Sequence, residues 1–66
     1  MIFNRDALKI AMAKNCVSIA ELAKKSKVGS DTIAKILNTN RIPNIATIGR
    51  LATALNVSPE VLMKED

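Results

Sequence analysis

An all-α domain of five short helices is what this sequence predicts, and three observations carry the expectation. Apolar residues recur at helical spacing along most of the chain, and polar residues suited to N-caps stand directly before those stretches. Gly29, Gly49, Pro43 and Pro59 are the only glycines and prolines, and no alternating β-branched run lies between turn signals, so sheet is disfavoured. Apolar residues make up 48% of the 66 positions, enough for a core, and Phe3 is the single aromatic, so that core is aliphatic. A chain this short buries only about 60% of its unfolded surface. One domain over residues 1–66 is therefore expected.

The elements follow in order. Asn4 is placed to cap a first helix from Arg5 to about Lys14, with Leu8, Ala11 and Met12 on one face. Ser18 stands three residues before Glu21, the spacing of a reciprocal cap in which the Ser side chain accepts from the helix and Glu reaches back. It opens a second helix from Ile19 to about Lys25 with Leu22 and Ala23 inward. After a break at Val28-Gly29-Ser30, a third helix from Ser30 to about Leu37 turns Ile33, Ile36 and Leu37 to the core. The segment from Asn38 to Pro43 lacks an apolar stripe, and Ile42 is restricted because it precedes proline, so this is a loop. Asn44 caps a fourth helix whose stripe is Ile45, Ile48, Leu51, Ala52 and Leu55; Ser58-Pro59 opens a short fifth helix through about Met63.

Composition excludes several functions. There is no histidine and Cys16 is the single cysteine, which leaves no internal disulfide, no ordinary zinc site and no nucleophile with a base. No metal, cofactor, small-molecule substrate or catalysis is expected. With no apolar run near the ~18 residues of a membrane span and no signal-peptide pattern, the expected setting is cytoplasmic, away from membranes. The net charge of +4 is unevenly spread: residues 24–50 carry Lys24, Lys25, Lys27, Lys35, Arg41 and Arg50 against Asp31 alone, whereas the chain from 51 onward has Lys64 against Glu60, Glu65 and Asp66. Such clustering favours a polyanionic partner through phosphate neutralisation and counterion release, the other reading being a solvated basic face.

At this point several pieces in fixed order become informative together: Val17-Ser18, Glu21-Leu22-Ala23, Val28, Thr32-Ile33, Asn38, Pro43, and Leu51-Ala52 followed by Ala54-Leu55 and Val57-Ser58. From about Leu8 to Leu62 the chain resembles the helix-turn-helix family of lambdoid phage Cro and CI repressors and their bacterial relatives, with the motif at about residues 18–37. The resemblance implies a lambda repressor-like fold and a sequence-specific regulator of transcription, a repressor, acting in the cytoplasm of a bacterial or phage-infected cell at the nucleoid. Its partner is a double-stranded DNA operator, and helix three lies in the major groove. By position the resemblance makes Ser30, Asp31, Thr32 and Lys35 the outward residues of that helix. Ser18 meets a phosphate at the start of helix two, and Lys27, Asn38, Asn40 and Arg41 grip the sugar-phosphate backbone, with Arg41 also near the minor groove.

Each of these residues has a plainer reading. Ser18, Ser30 and Thr32 are also suited to capping helix starts, and Asp31 is either an acceptor from cytosine N4 or a first-turn carboxylate favoured by the helix dipole. Three positions depart from the family pattern. Lys27 and Cys16 stand where glycine is usual; Lys27 either adopts a left-handed backbone at a cost of roughly 1 kcal/mol or the turn is reshaped, and Cys16 reads as a small semi-buried thiol. Met12 and Leu37 replace an Arg–Glu pair, both partners becoming apolar together, so no charge is stranded.

One short recognition helix reads only a few base pairs, which leads to the expectation of a homodimer on a two-fold symmetric site, its recognition helices about 34 Å apart. After the core is assigned, Ile42, Val61 and Met63 remain for the dimer interface, unless some of them complete the core instead. Because fold does not determine function, the alternative reading is a protein-interaction module on the same fold, such as an anti-repressor, adaptor or antitoxin.

Overall fold

In the computed structural model, residues 2–39 and 41–65 are described. Among them the order is β1 (Ile2–Phe3), α1 (Arg5–Asn15), α2 (Ile19–Ser26), α3 (Ser30–Asn38), α4 (Ile45–Ala54), a 3-10 turn (Pro59–Leu62) and β2 (Met63–Lys64). The expected four α-helices form within a residue of their anticipated ends, and the caps at their starts explain why. Asn4 accepts from the Ala7 N–H at 3.1 Å and Asn44 from the Thr47 N–H at 2.8 Å. At Ser18 both halves of the reciprocal cap are present, each 3.1 Å long.

The fifth helix does not form as an α-helix. Ser58 and Pro59 open the segment as expected, but only four residues wind, with the Val61 N–H reaching the Ser58 carbonyl, before Met63 takes extended backbone. The chain there is drawn into a two-stranded antiparallel sheet that sequence reasoning disfavoured, Phe3 opposite Met63 and Ile2 opposite Lys64. The Asn4 N–H continues this connection to the Leu62 carbonyl at 2.7 Å. A two-residue strand has no periodicity to read, and its register is set by the partner end of the chain.

The core gathers Leu8, Leu22, Ile33, Ile36, Leu51, Ala52, Leu55 and Leu62, all essentially sealed from solvent, with Ala11, Met12, Val28, Leu37 and Ile48 at its margin. Met12 and Leu37 are both buried in that cluster, as an apolar replacement of a charged pair requires. Ile45 departs from the expected stripe of α4. It is 89% exposed, because in the first turn of the helix its side chain lies beyond the edge of the layer that α4 packs on. Helix α2 packs against both α3 and α4, which fixes the pair of motif helices on the rest of the fold.

Among the described residues, three other than glycine take left-handed backbone, Cys16 (φ 54°), Lys27 (φ 61°) and Asn56 (φ 57°), each just beyond a helix end. Of the two outcomes open for Lys27, the left-handed backbone is the one found, and its N–H closes α2 onto the Ala23 carbonyl at 2.9 Å. Cys16 closes α1 on the carbonyls of Ala13 and Met12, but its side chain is exposed rather than semi-buried, because the left-handed turn directs it outward. The turn after α2 is held from inside by Ser26, a buried polar residue. Its Oγ donates to the Leu22 carbonyl at 2.6 Å and accepts from the Val28 N–H at 3.2 Å.

Candidate nucleic-acid interface

Helix α3 divides cleanly into two faces. Ile33, Ile36 and Leu37 are buried, whereas Ser30, Asp31, Lys35 and Asn38 are exposed, at spacings of one and two helical turns along one side. That side is continuous and carries hydrogen-bonding groups of every type: a hydroxyl, a carboxylate, an ammonium and an amide. Thr32 is set apart from it. It is half-buried, and its Oγ1 lies 3.7 Å from the place a Cβ on Gly29 would occupy, so it sits over the helix start rather than on the outer stripe.

The start of α3 corrects the plainer reading of Ser30 and Thr32. The N-cap is Gly29, with no side-chain hydrogen bond, and Ser30 is already the first helical residue. Neither hydroxyl caps the helix. The first-turn N–H groups therefore meet no capping side chain, and Ser30 keeps its hydroxyl for other partners.

Around this stripe the remaining candidates fall on the flanks. Ser18 is exposed at the start of α2, its oxygen engaged by the Glu21 N–H. The Ser18 backbone N–H, and then its hydroxyl, hold the Glu21 carboxyl below its ordinary value of 4.5, against desolvation and with a still smaller pull from Lys25. Lys27 is exposed in the turn between α2 and α3. Beyond α3, Thr39 organises the loop: its Oγ1 donates to the Lys35 carbonyl at 2.5 Å and accepts from the Arg41 N–H at 3.2 Å. Arg41 is thereby tied to the end of α3 with its side chain exposed. Thr39 as the positioner of Arg41 is a role that sequence reasoning did not single out, although a hydroxyl two residues before a basic loop residue is the available signal. Asn40 lies outside the described residues.

The candidate dimer residues are not brought together in the same way. Ile42 (70% exposed) and Val61 (48% exposed) are open to solvent, whereas Met63 is half-buried in β2 and packs against the core. Met63 thus belongs in part to the chain's own interior, the second of the two readings open for it.

The geometry on the page is a pair of crossed helices with one outward polar stripe and basic flanks. A helix-turn-helix family model matches residues 8–62. The chain belongs to the Cro/CI-type helix-turn-helix family, whose members are DNA-binding regulators of transcription. No curated protein and no solved structure matches it. Among the described residues no helix is long and apolar enough to cross a membrane, and no group of acidic residues and cysteine is placed to hold a metal ion.

Proposed function

We propose that this chain is a repressor that recognises a specific double-stranded DNA operator as a homodimer, with α3 in the major groove. The observation that carries the reading is the outward stripe of α3, polar and exposed along its length, within a segment holding six cations against one carboxylate. Ser30, Asp31 and Lys35 read base edges: Lys35 suits guanine O6 and N7, and Asp31 suits the N4 amino group of cytosine. Thr32 is a neighbour of the helix start that contacts the sugar-phosphate backbone. Ser18, Lys27, Asn38, Asn40 and Arg41 fix the register through phosphates, and Arg41 reaches toward the minor groove. A homodimer doubles the number of base pairs read, and Ile42 and Val61 supply exposed apolar surface for it, with Met63 at its edge.

Selection from a random pool of DNA duplexes at several salt concentrations tests this reading. The expected result is enrichment of a two-fold symmetric sequence with half-sites about one helical turn apart. On that sequence Arg41→Ala should lower the magnitude of the salt slope by about 0.9, and Lys35→Ala should cost about 1–3 kcal/mol and relax specificity at the guanine it reads, neither unfolding the domain. No enrichment at low salt would overturn the reading and favour the protein-interaction alternative.

A further inference from the structure

Helices α1 and α2 end on left-handed residues, Cys16 and Lys27, and α4 is followed within two residues by another, Asn56. At each of these the backbone itself turns the chain away from the helix axis. Helix α3 ends differently, because its C-cap, Thr39, has extended backbone. Extended backbone carries a chain onward, and here the Thr39 side chain draws it back.

The Lys35 carbonyl accepts from the Thr39 N–H at 3.0 Å and from the Thr39 Oγ1 at 2.5 Å, while the same Oγ1 accepts from the Arg41 N–H at 3.2 Å. The hydroxyl thus commits its proton to the helix and a lone pair to the loop. Among the described residues, this bond to the Arg41 N–H is the only hydrogen bond made by Arg41, Ile42 and Pro43. Two positions beyond Arg41, Pro43 is buried. Arg41 is therefore held between a hydrogen-bonded anchor on one side and a packed ring on the other. Its exposed side chain leaves the surface at a fixed place relative to the outward stripe of α3.

We infer that the Thr39 hydroxyl is a positioning group that sets specificity for DNA. It fixes the span between the Arg41 side chain and the outward stripe of α3, so that Arg41 meets its phosphate only in the register in which Ser30, Asp31 and Lys35 meet their bases. The inference rests on the DNA reading proposed above and adds the group that ties backbone grip to base readout. Thr39 is exposed, and the Lys35 carbonyl it serves lies at a helix end open to water, so the bond contributes little to folding. Its effect falls on binding, where a loop already held in place has less freedom left to lose. On a duplex without the operator's bases no register is required, and an untethered Arg41 finds a phosphate there as readily as a tethered one.

Titration of the duplex most enriched in the selection above, and of an unrelated duplex of equal length, tests the assignment. Thr39→Val keeps the shape and the preference for extended backbone and removes only the hydroxyl. It should weaken binding to the enriched duplex by about fivefold, as loss of one hydrogen bond implies, and to the unrelated duplex by less. Thr39→Ser keeps the hydroxyl and should stay within about twofold of wild type. In an Arg41→Ala background the tether persists but positions nothing, so Thr39→Val should cost no further affinity. Urea unfolding should place both Thr39 variants close to the wild-type midpoint. An equal loss with and without the Arg41 side chain, or a serine variant as weak as the valine one, would overturn this role of the hydroxyl while leaving DNA binding standing. No enriched duplex, or Arg41→Ala binding as tightly as wild type, would overturn the DNA contact on which it rests.

Discussion

Replacing Lys27 by glycine should make the domain more stable and its DNA complex weaker, two effects that a single side chain rarely separates. Lys27 sits at φ 61°, ψ 27° just past α2, in the left-handed region. An L-residue there carries roughly 1–2 kcal/mol of strain that glycine lacks. Against this relief stands the greater freedom of glycine in the unfolded chain, roughly 0.5–1 kcal/mol. Losing a cation near the helix C-terminus takes back a further ~0.3 kcal/mol, a small amount because Lys24 and Lys25 remain in the last turn. The net gain is about 0.5 kcal/mol, which for a chain of this size raises the melting temperature by ~2–4 °C. The backbone hydrogen bond from residue 27 to the Ala23 carbonyl is untouched by the change. Urea unfolding should show a higher midpoint at constant m-value, while DNA titrations should show the salt slope falling by about 0.9. Lys27→Ala separates the two, since it removes the charge and keeps the strain: the slope should fall with no gain in stability. A glycine variant less stable than wild type would refute the strain argument, and an unchanged slope would refute phosphate contact by Lys27.

Three further outcomes follow from the structure. Ser26→Ala should destabilise the fold by about 1–3 kcal/mol in urea unfolding, because it orphans the buried Val28 N–H at the turn between the motif helices. Glu21 has a folded value below its ordinary 4.5, so the stability it lends is present above that value and disappears as the pH falls through the lowered one; Glu21→Gln should flatten the acid limb of stability against pH. Met12→Arg should destabilise by about 3 kcal/mol or more by burying a lone charge, and adding Leu37→Glu should recover part of it, whereas strictly additive unfolding energies would show that the two positions do not meet.

Local chemistry was the legible part of this fold. Asn4, Ser18, Asn44 and Ser58 are each followed by an apolar stripe, and each caps the element that follows. The exposed and buried faces of α3 were readable for the same reason, since a helical period of 3.6 sorts Ile33, Ile36 and Leu37 from Ser30, Asp31 and Lys35 without reference to the rest of the chain. What escaped depends on residues distant in sequence. The pairing of β1 with β2 joins the two ends, and the Asn15 amide donates to the Leu55 carbonyl across 40 positions at 3.1 Å. Ile45 obeyed the helical period and was still left outside, because period assigns a face and not how far the covering layer extends.

The capping pattern also connects the fold to its proposed work. Side chains close the N-termini of α1, α2, α4 and the 3-10 turn, and among these elements α3 alone begins on a glycine with no side-chain cap. Glycine at an N-cap gives up only a few tenths of a kcal/mol relative to Ser or Asn, so stability exerts little pull against it. Its effect is on the surroundings of the helix start, where the first-turn N–H groups meet no side-chain amide or hydroxyl oxygen of the kind that caps α1, α2, α4 and the 3-10 turn. A positive helix end so arranged attracts an anion, and Asp31 beside it introduces the one charge that repels a phosphate. Those opposing effects favour a register in which Asp31 meets a base amino group while the cations on either side, Lys27 and Lys35, take the phosphates and guanines. Under the proposed function, that register would draw affinity from the flanks of the stripe and discrimination from Ser30, Asp31 and Lys35 along it.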